Sequence, residues 1–192
     1  MASALKKRFR ASTLGWHLLN APSLTRFLIS RPGLSLTEKV VVSDLSQSGI
    51  AKIHIGGLFP EPVFAELKSL AELAWSAKKN EPRTVLRQTK EAYLVDLWAR
   101  EHILDLAQPF ILFSLSRPVL NIVNSYLGLL SKFREFWLQT TIPVLAGTNP
   151  FASQRWHADP DDRKMVKVFL YLTDVNETAG PFSYIRGSHG GG

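Results

Sequence analysis

Apolar residues recur every three or four positions through much of the first two-thirds of the chain, and gather into short β-branched and aromatic runs after that. In "PVFAELKSLAELAWSAKK" Val63, Leu67, Leu70 and Ala74 fall on one side of a 3.6-residue turn, which predicts an amphipathic helix. "EAYLVDLWAREHILDLA" repeats the pattern with Leu94, Leu97, Trp98 and Leu104 and predicts another. A third helix starts near Ser116, with Pro118 in its first turn, where a missing N–H costs nothing. Val119, Ile122, Val123, Tyr126 and Leu127 form its stripe, and Gly128 is placed to end it. These stripes are the signature of core packing rather than of a ligand site. A weaker helical pattern surrounds Ser23–Ser30, and "LSQSGIAKIHIGGLFP" alternates at Ile53 and Ile55 before Gly56-Gly57, which predicts a short strand.

After Phe133 the pattern changes. "EFWLQTTIPVLAG" is rich in β-branched and aromatic residues and reads as a strand. "KMVKVFLYLTDV" is apolar on both faces apart from Lys164 and Lys167, which predicts a largely buried second strand. "GPFSYIRG" is a third, leading into the turn "GSHGGG". Residues 63–127 are thus expected to be mainly helical and 135–187 mainly strand. The expected class is α+β, with a basic arm at 1–42 and one domain at 43–192, helical over 43–132 and sheet-forming over 133–192.

Composition narrows this picture. The 192 residues are 45% apolar and 20% charged, the balance of a folded domain. There is no cysteine, so thiolate metal ligands, disulfides and a cysteine nucleophile are excluded; this fits an intracellular, cytoplasmic protein. The net charge is +7, but residues 1–40 hold seven of the 23 Lys/Arg and one of the 16 acids. The basic character therefore belongs to the arm. Contact with nucleic acid, contact with an anionic membrane, or an Arg/Ser-rich targeting segment are its sharper readings, and a solvated arm is the plainer one. No aromatic-rich basic motif follows that could stack bases, so no specific nucleic-acid partner is expected. No window is long and apolar enough for a transmembrane span, and Gly15, Trp16 and His17 break any secretory apolar stretch. Nothing in the chain points to an oligomeric state.

Candidate chemistry concentrates at "SQRWHADPDDRK". In an extended chain residues i and i+2 face the same side, so His157 and Asp159 would offer an imidazole nitrogen and a carboxylate to one space. Pro160 disfavours the helical region for Asp159 and keeps it extended. That donor pair suits Fe(II), Mn(II) or Zn(II), while a local hydrogen-bonded loop pair is the ordinary alternative.

The wider stretch resembles the phytanoyl-CoA dioxygenase family, a branch of the Fe(II)- and 2-oxoglutarate-dependent dioxygenases. The resemblance rests on "WHADP", then "KVFLYLTDV", then "GPFSYIRGSH", in matching order and spacing, and covers about 136–192, with a weaker extension through "LNIVNSYLGL" toward Leu120. It implies a double-stranded β-helix, or cupin-like jelly roll, with the N-terminal helices packed outside it. It also implies that His157 and Asp159 are iron ligands. The cosubstrates implied are 2-oxoglutarate and O2, with ascorbate as a reductant. The reaction implied is hydroxylation of a C–H bond in a small-molecule or lipid-like substrate, with release of succinate and CO2. Gln139, on the strand before the His-x-Asp loop, and Lys167, in an apolar run, are the candidate contacts to 2-oxoglutarate; a solvated lysine is the alternative for Lys167.

The chain departs from the family pattern in one respect. The family's second histidine and a carboxylate-pairing arginine follow several strands later, and neither is present before Gly192. His189 lies in the "GSH" turn, an unlike position for a ligand. A jelly roll needs about eight strands and only three or four are readable, so the chain is expected to present an incomplete barrel with exposed apolar faces and a site lacking its third ligand. A non-catalytic jelly-roll binding module, or an inactive fragment lacking the third iron ligand, is therefore the competing expectation. Trp156 is expected to pack or shield, and His17, His54 and His102 have no ligand spacing.

Overall fold

The computed structural model describes residues 12–80, 93–98, 105–142, 155–157 and 162–190. Within them lie five α-helices and two short strands. The helices are α1 (Thr13–Ile29), α2 (Leu36–Ser48), α3 (Glu61–Lys78), α4 (Pro109–Ser114) and α5 (Arg117–Leu127); the strands are β1 (Leu94–Asp96) and β2 (Gln139–Thr141).

Each helix end has a chemical cause. The Ser12 hydroxyl accepts from the Gly15 N–H at the start of α1. At α2, Ser35 and Glu38 form a reciprocal capping box, and Gly49 ends the helix at φ +75, a conformation that carries little penalty only without a Cβ. Pro118 sits in the first turn of α5 and Gly128 closes it in the left-handed region, as the sequence predicts. Helix α3 covers the first predicted amphipathic stripe.

One buried carboxylate ties two of these helices together. Glu38 is 5% exposed. Its Oε2 accepts from the Ser35 N–H at 2.6 Å, and its Oε1 accepts from the Asn121 side-chain amide at 3.0 Å. The N-terminus of α2 is thereby fastened to the middle of α5. The charge also lies in the first helical turn, where the backbone dipole favours it. Trp16 of α1 is buried against Leu127 and Leu129, with Leu24, Val123, Tyr126 and Val166 around them. Position 42 lies inside α2, which runs on to Ser48.

The larger core is built from Leu67 of α3, Val95, Leu97, Phe110 of α4 and Leu138. Phe110 stacks on Phe136 at 5.9 Å, with Trp98 against both. Strands β1 and β2 pair antiparallel, Leu94 opposite Thr141 and Asp96 opposite Gln139. The ladder continues one bond each way, Leu97 N–H to Leu138 carbonyl and Ile142 N–H to Tyr93 carbonyl.

Three expectations are corrected here. The stretch around Leu94 is strand, not helix: Val95 is fully buried and pairs across to Thr140, so a tertiary ladder overrides a spacing that also fits a helix. Its remainder, 99–104, lies outside the described residues. The strand expected within 45–60 is instead the end of α2 followed by a 3-10 turn at Ile55–Gly57, with the His54 ring accepting from the Gly56 N–H. Finally, "KMVKVFLYLTDV" and "GPFSYIRG" form no strand among the described residues. Among the described residues the α+β class holds only as helices plus one two-stranded sheet, and no jelly roll is seen there. Leu170 and Leu172 pack on the main core while Phe169 and Tyr171 face outward, the alternation of an extended segment. An extended backbone becomes a strand only when a neighbour takes its N–H and C=O groups, and none of the described segments does so. The segment is accordingly not buried: Val168, Phe169, Tyr171, Phe182 and Ile185 are all about half exposed, in line with the expected open apolar faces.

Replacing Glu38 by Ala removes a cap and leaves the Asn121 amide without its acceptor, so it should destabilise the fold by about 2 kcal/mol. Urea unfolding followed by far-UV circular dichroism should show the midpoint falling, with a smaller fall for Asn121→Ala.

Candidate functional site

His157 is exposed, in an irregular segment that begins with a bend at Arg155. Its Nδ1 lies 2.7 Å from the Arg155 carbonyl oxygen. A carbonyl can only accept, so Nδ1 carries the proton in the neutral ring and the lone pair belongs to Nε2. That is the tautomer a metal-ligating histidine adopts, with the second nitrogen steered by a backbone carbonyl. Asp159 and Pro160 lie outside the described residues, as does His102. Among the described residues no three His, Asp or Glu side chains gather closely enough to hold a metal. Trp156 does not pack; it is 69% exposed.

Gln139 stands on β2, on a strand as the sequence predicts. Its amide Nε2 donates to the Asp96 carboxylate at 2.7 Å, and the Lys78 ammonium donates to the Asp96 carbonyl at 2.6 Å. Asp96 therefore joins α3, β1 and β2. The sequence signal for it was hidden by the helical reading of its segment. A carboxylate ligand accepts only, so Gln139 could address one only through its other amide hydrogen. Lys167 is exposed, as a lysine reaching water from an apolar run would be. Lys164 lies over the Trp16 ring at 5.3 Å.

His189 is spent elsewhere. Its Nε2 lies 3.3 Å from the Ser46 carbonyl, and the Gly187 N–H donates to the Ser48 carbonyl at 2.8 Å. The "GSH" turn thus docks on the C-terminal end of α2, where helix carbonyls lack intrahelical donors. Gly49 makes the docking possible: a Cβ there would collide with the Tyr184 hydroxyl and the His189 ring. This seam borders an open cleft of about 290 Å³ whose lining includes Asp44, Lys52 and Arg186. Sequence reasoning had no route to it, because Arg186 is far from Asp44 along the chain. Across the same region, burial and secondarily the Tyr184 phenol raise the Tyr126 pKa above its ordinary value. His17 stacks edge-on to Trp16 and His54 caps its turn, so neither addresses a metal.

The family is set by comparison. A model of the phytanoyl-CoA dioxygenase family matches residues 52–192, most of the chain and the whole of the stretch that carries His157. The chain belongs to the phytanoyl-CoA dioxygenase family. No curated protein and no solved structure matches it. The family is typically dependent on Fe(II) and 2-oxoglutarate and acts on small molecules.

Two outcomes test the seam. Gly49→Ala should destabilise the protein by about 1–2 kcal/mol, from the left-handed backbone alone, and should speed amide exchange across 184–189. Because the folded state favours the neutral Tyr126 phenol, its contribution is intact below pH 10 and is lost as pH rises above it. Urea midpoints measured at pH 9 and pH 11 should therefore fall further in the wild type than in Tyr126→Phe.

Proposed function

We propose that this protein is an Fe(II)- and 2-oxoglutarate-dependent oxygenase that hydroxylates a C–H bond of a small-molecule or lipid-like substrate. The observation that carries this reading is the His157 ring. Its Nδ1–H is engaged by the Arg155 carbonyl, its lone pair is on Nε2, and it stands two residues before Asp159 within the family match. Such a ring meets the requirement for a nitrogen ligand without rearrangement of its proton. Asp159 is the candidate carboxylate, followed by Pro160, a residue type that disfavours the helical region for the position before it. Imidazole with carboxylate is a donor set that accepts Fe(II) or Mn(II) and leaves other positions for a chelating cosubstrate.

When bound, the metal with 2-oxoglutarate supplies O2 activation, coupled to oxidative decarboxylation that yields succinate and CO2. The chain's own groups bind and orient. The Arg155 carbonyl fixes the ring orientation of His157. Gln139, anchored on Asp96, offers its second amide hydrogen to the cosubstrate, and Lys167 offers a positive charge to the same anion. The competing reading, a binding module without turnover, makes a different demand: ligand binding with no succinate.

The test uses the purified chain with Fe(II), 2-oxoglutarate, ascorbate and O2. Stoichiometric Fe(II) or Mn(II) binding is expected, with affinity reduced at least ~10-fold in His157→Ala and in Asp159→Ala. Unchanged metal content in both variants would remove the assignment. Metal binding with no succinate formed under any substrate would favour the binding module.

A further inference from the structure

Helix α1 is apolar on two sides. Trp16 and Phe27 are buried on one of them. The other faces water. The helical repeat places Leu14, Leu18, Ala21, Thr25, Leu28 and Ile29 along one stripe that runs the length of the helix. Its large members are strongly exposed: Leu14 67%, Leu18 58%, Leu28 62% and Ile29 82%. A long exposed stripe of apolar side chains marks a contact surface.

Charge identifies the cover. Residues 1–37 hold six Lys/Arg and no acid. Arg26 and Arg31 are exposed at the C-terminal end of α1, and Arg31 reaches over the Phe27 ring at 5.7 Å. A second copy of the same face would bring these cations together, which opposes self-pairing. Nucleic acid would be drawn by the charge but would leave the leucine stripe in water. An anionic lipid surface satisfies both features at once: leucines enter the acyl boundary while arginines stay with the headgroups. No helix among the described residues is long and apolar enough to cross a membrane, so the contact is one of lying on the surface.

We propose that the outer face of α1 docks the protein on an anionic membrane surface. The inference is independent of the metal reading, since it uses no residue of that site. A protein so docked would have its apolar substrates delivered by the lipid phase.

Sedimentation of the 192-residue chain with vesicles of phosphatidylcholine alone, or with about a third phosphatidylserine, tests the proposal. Binding should require phosphatidylserine and weaken at high salt. The triple substitution Leu14→Ser, Leu18→Ser and Leu28→Ser leaves the charge unchanged and should weaken binding by at least ~10-fold. A second measurement does not rely on that variant folding. The chain has no cysteine, so Leu18→Cys can carry an environment-sensitive fluorophore, with Lys68→Cys on the exposed side of α3 as control. A blue shift on vesicle addition is expected at 18 and not at 68. The proposal is overturned by no binding, by equal binding of a helical triple variant, by matching responses at the two positions, or by a dimer that only the triple substitution dissolves.

Discussion

The Glu38 carboxylate is the fastening on which the described architecture depends. It closes the capping box of α2 and accepts from Asn121 of α5 with its second oxygen. A carboxylate this deeply buried is tolerable only because each oxygen has a donor and the helix N-terminus favours its charge. Removing either donor leaves a desolvated acceptor, so the two helices hold each other in one relative position. Everything else on α2 inherits that position. Its far end presents the Ser46 and Ser48 carbonyls to the "GSH" turn, and Gly49 leaves room for Tyr184 and His189. Helix α5 in turn backs Trp16 of α1.

Family membership and local geometry bear on function at different scales. Membership comes from residues 52–192 as a whole. What the structure adds is local: a histidine whose proton is held on one nitrogen by its own backbone, and a glutamine whose amide is anchored through Asp96 to a lysine-braced strand. Both are cases of a side chain whose orientation is set by a hydrogen bond to a neighbour. The His189 ring lies against the end of α2, with Nε2 3.3 Å from the Ser46 carbonyl.

Two apolar surfaces remain in water, and they differ in kind. The residues around Phe169, Tyr171 and Phe182 lie on an extended backbone, where the missing element is a hydrogen-bonded neighbour. The stripe on α1 lies on a helical backbone whose hydrogen bonds run largely within the helix, so it is chiefly its side chains that call for cover. This second surface suits a fluid apolar phase bounded by negative charge, which is why the basic N-terminal segment bears on it.

Much of this was legible in the residues. The stripe from Val119 to Leu127, with Pro118 before it and Gly128 after it, determined a helix because caps and periodicity agree and act locally. The same holds for α3. The motifs around His157 pointed to the family, and the His-x-Asp-Pro order singled out a candidate donor pair. Tertiary structure alone decided the rest. Leu94, Leu97 and Trp98 fit a helical period, yet Val95 is drawn into a ladder with Thr140, because the energy of a strand lies in partners distant in sequence. The N-terminal segment reads as a solvated arm by charge, but from Ser12 onward it is a helix whose Trp16 is buried against Leu127 and Leu129. No local pattern shows which of two apolar sides of a helix will meet the core. That choice belongs to the packing of α1 on α5, and it leaves the leucine stripe facing out.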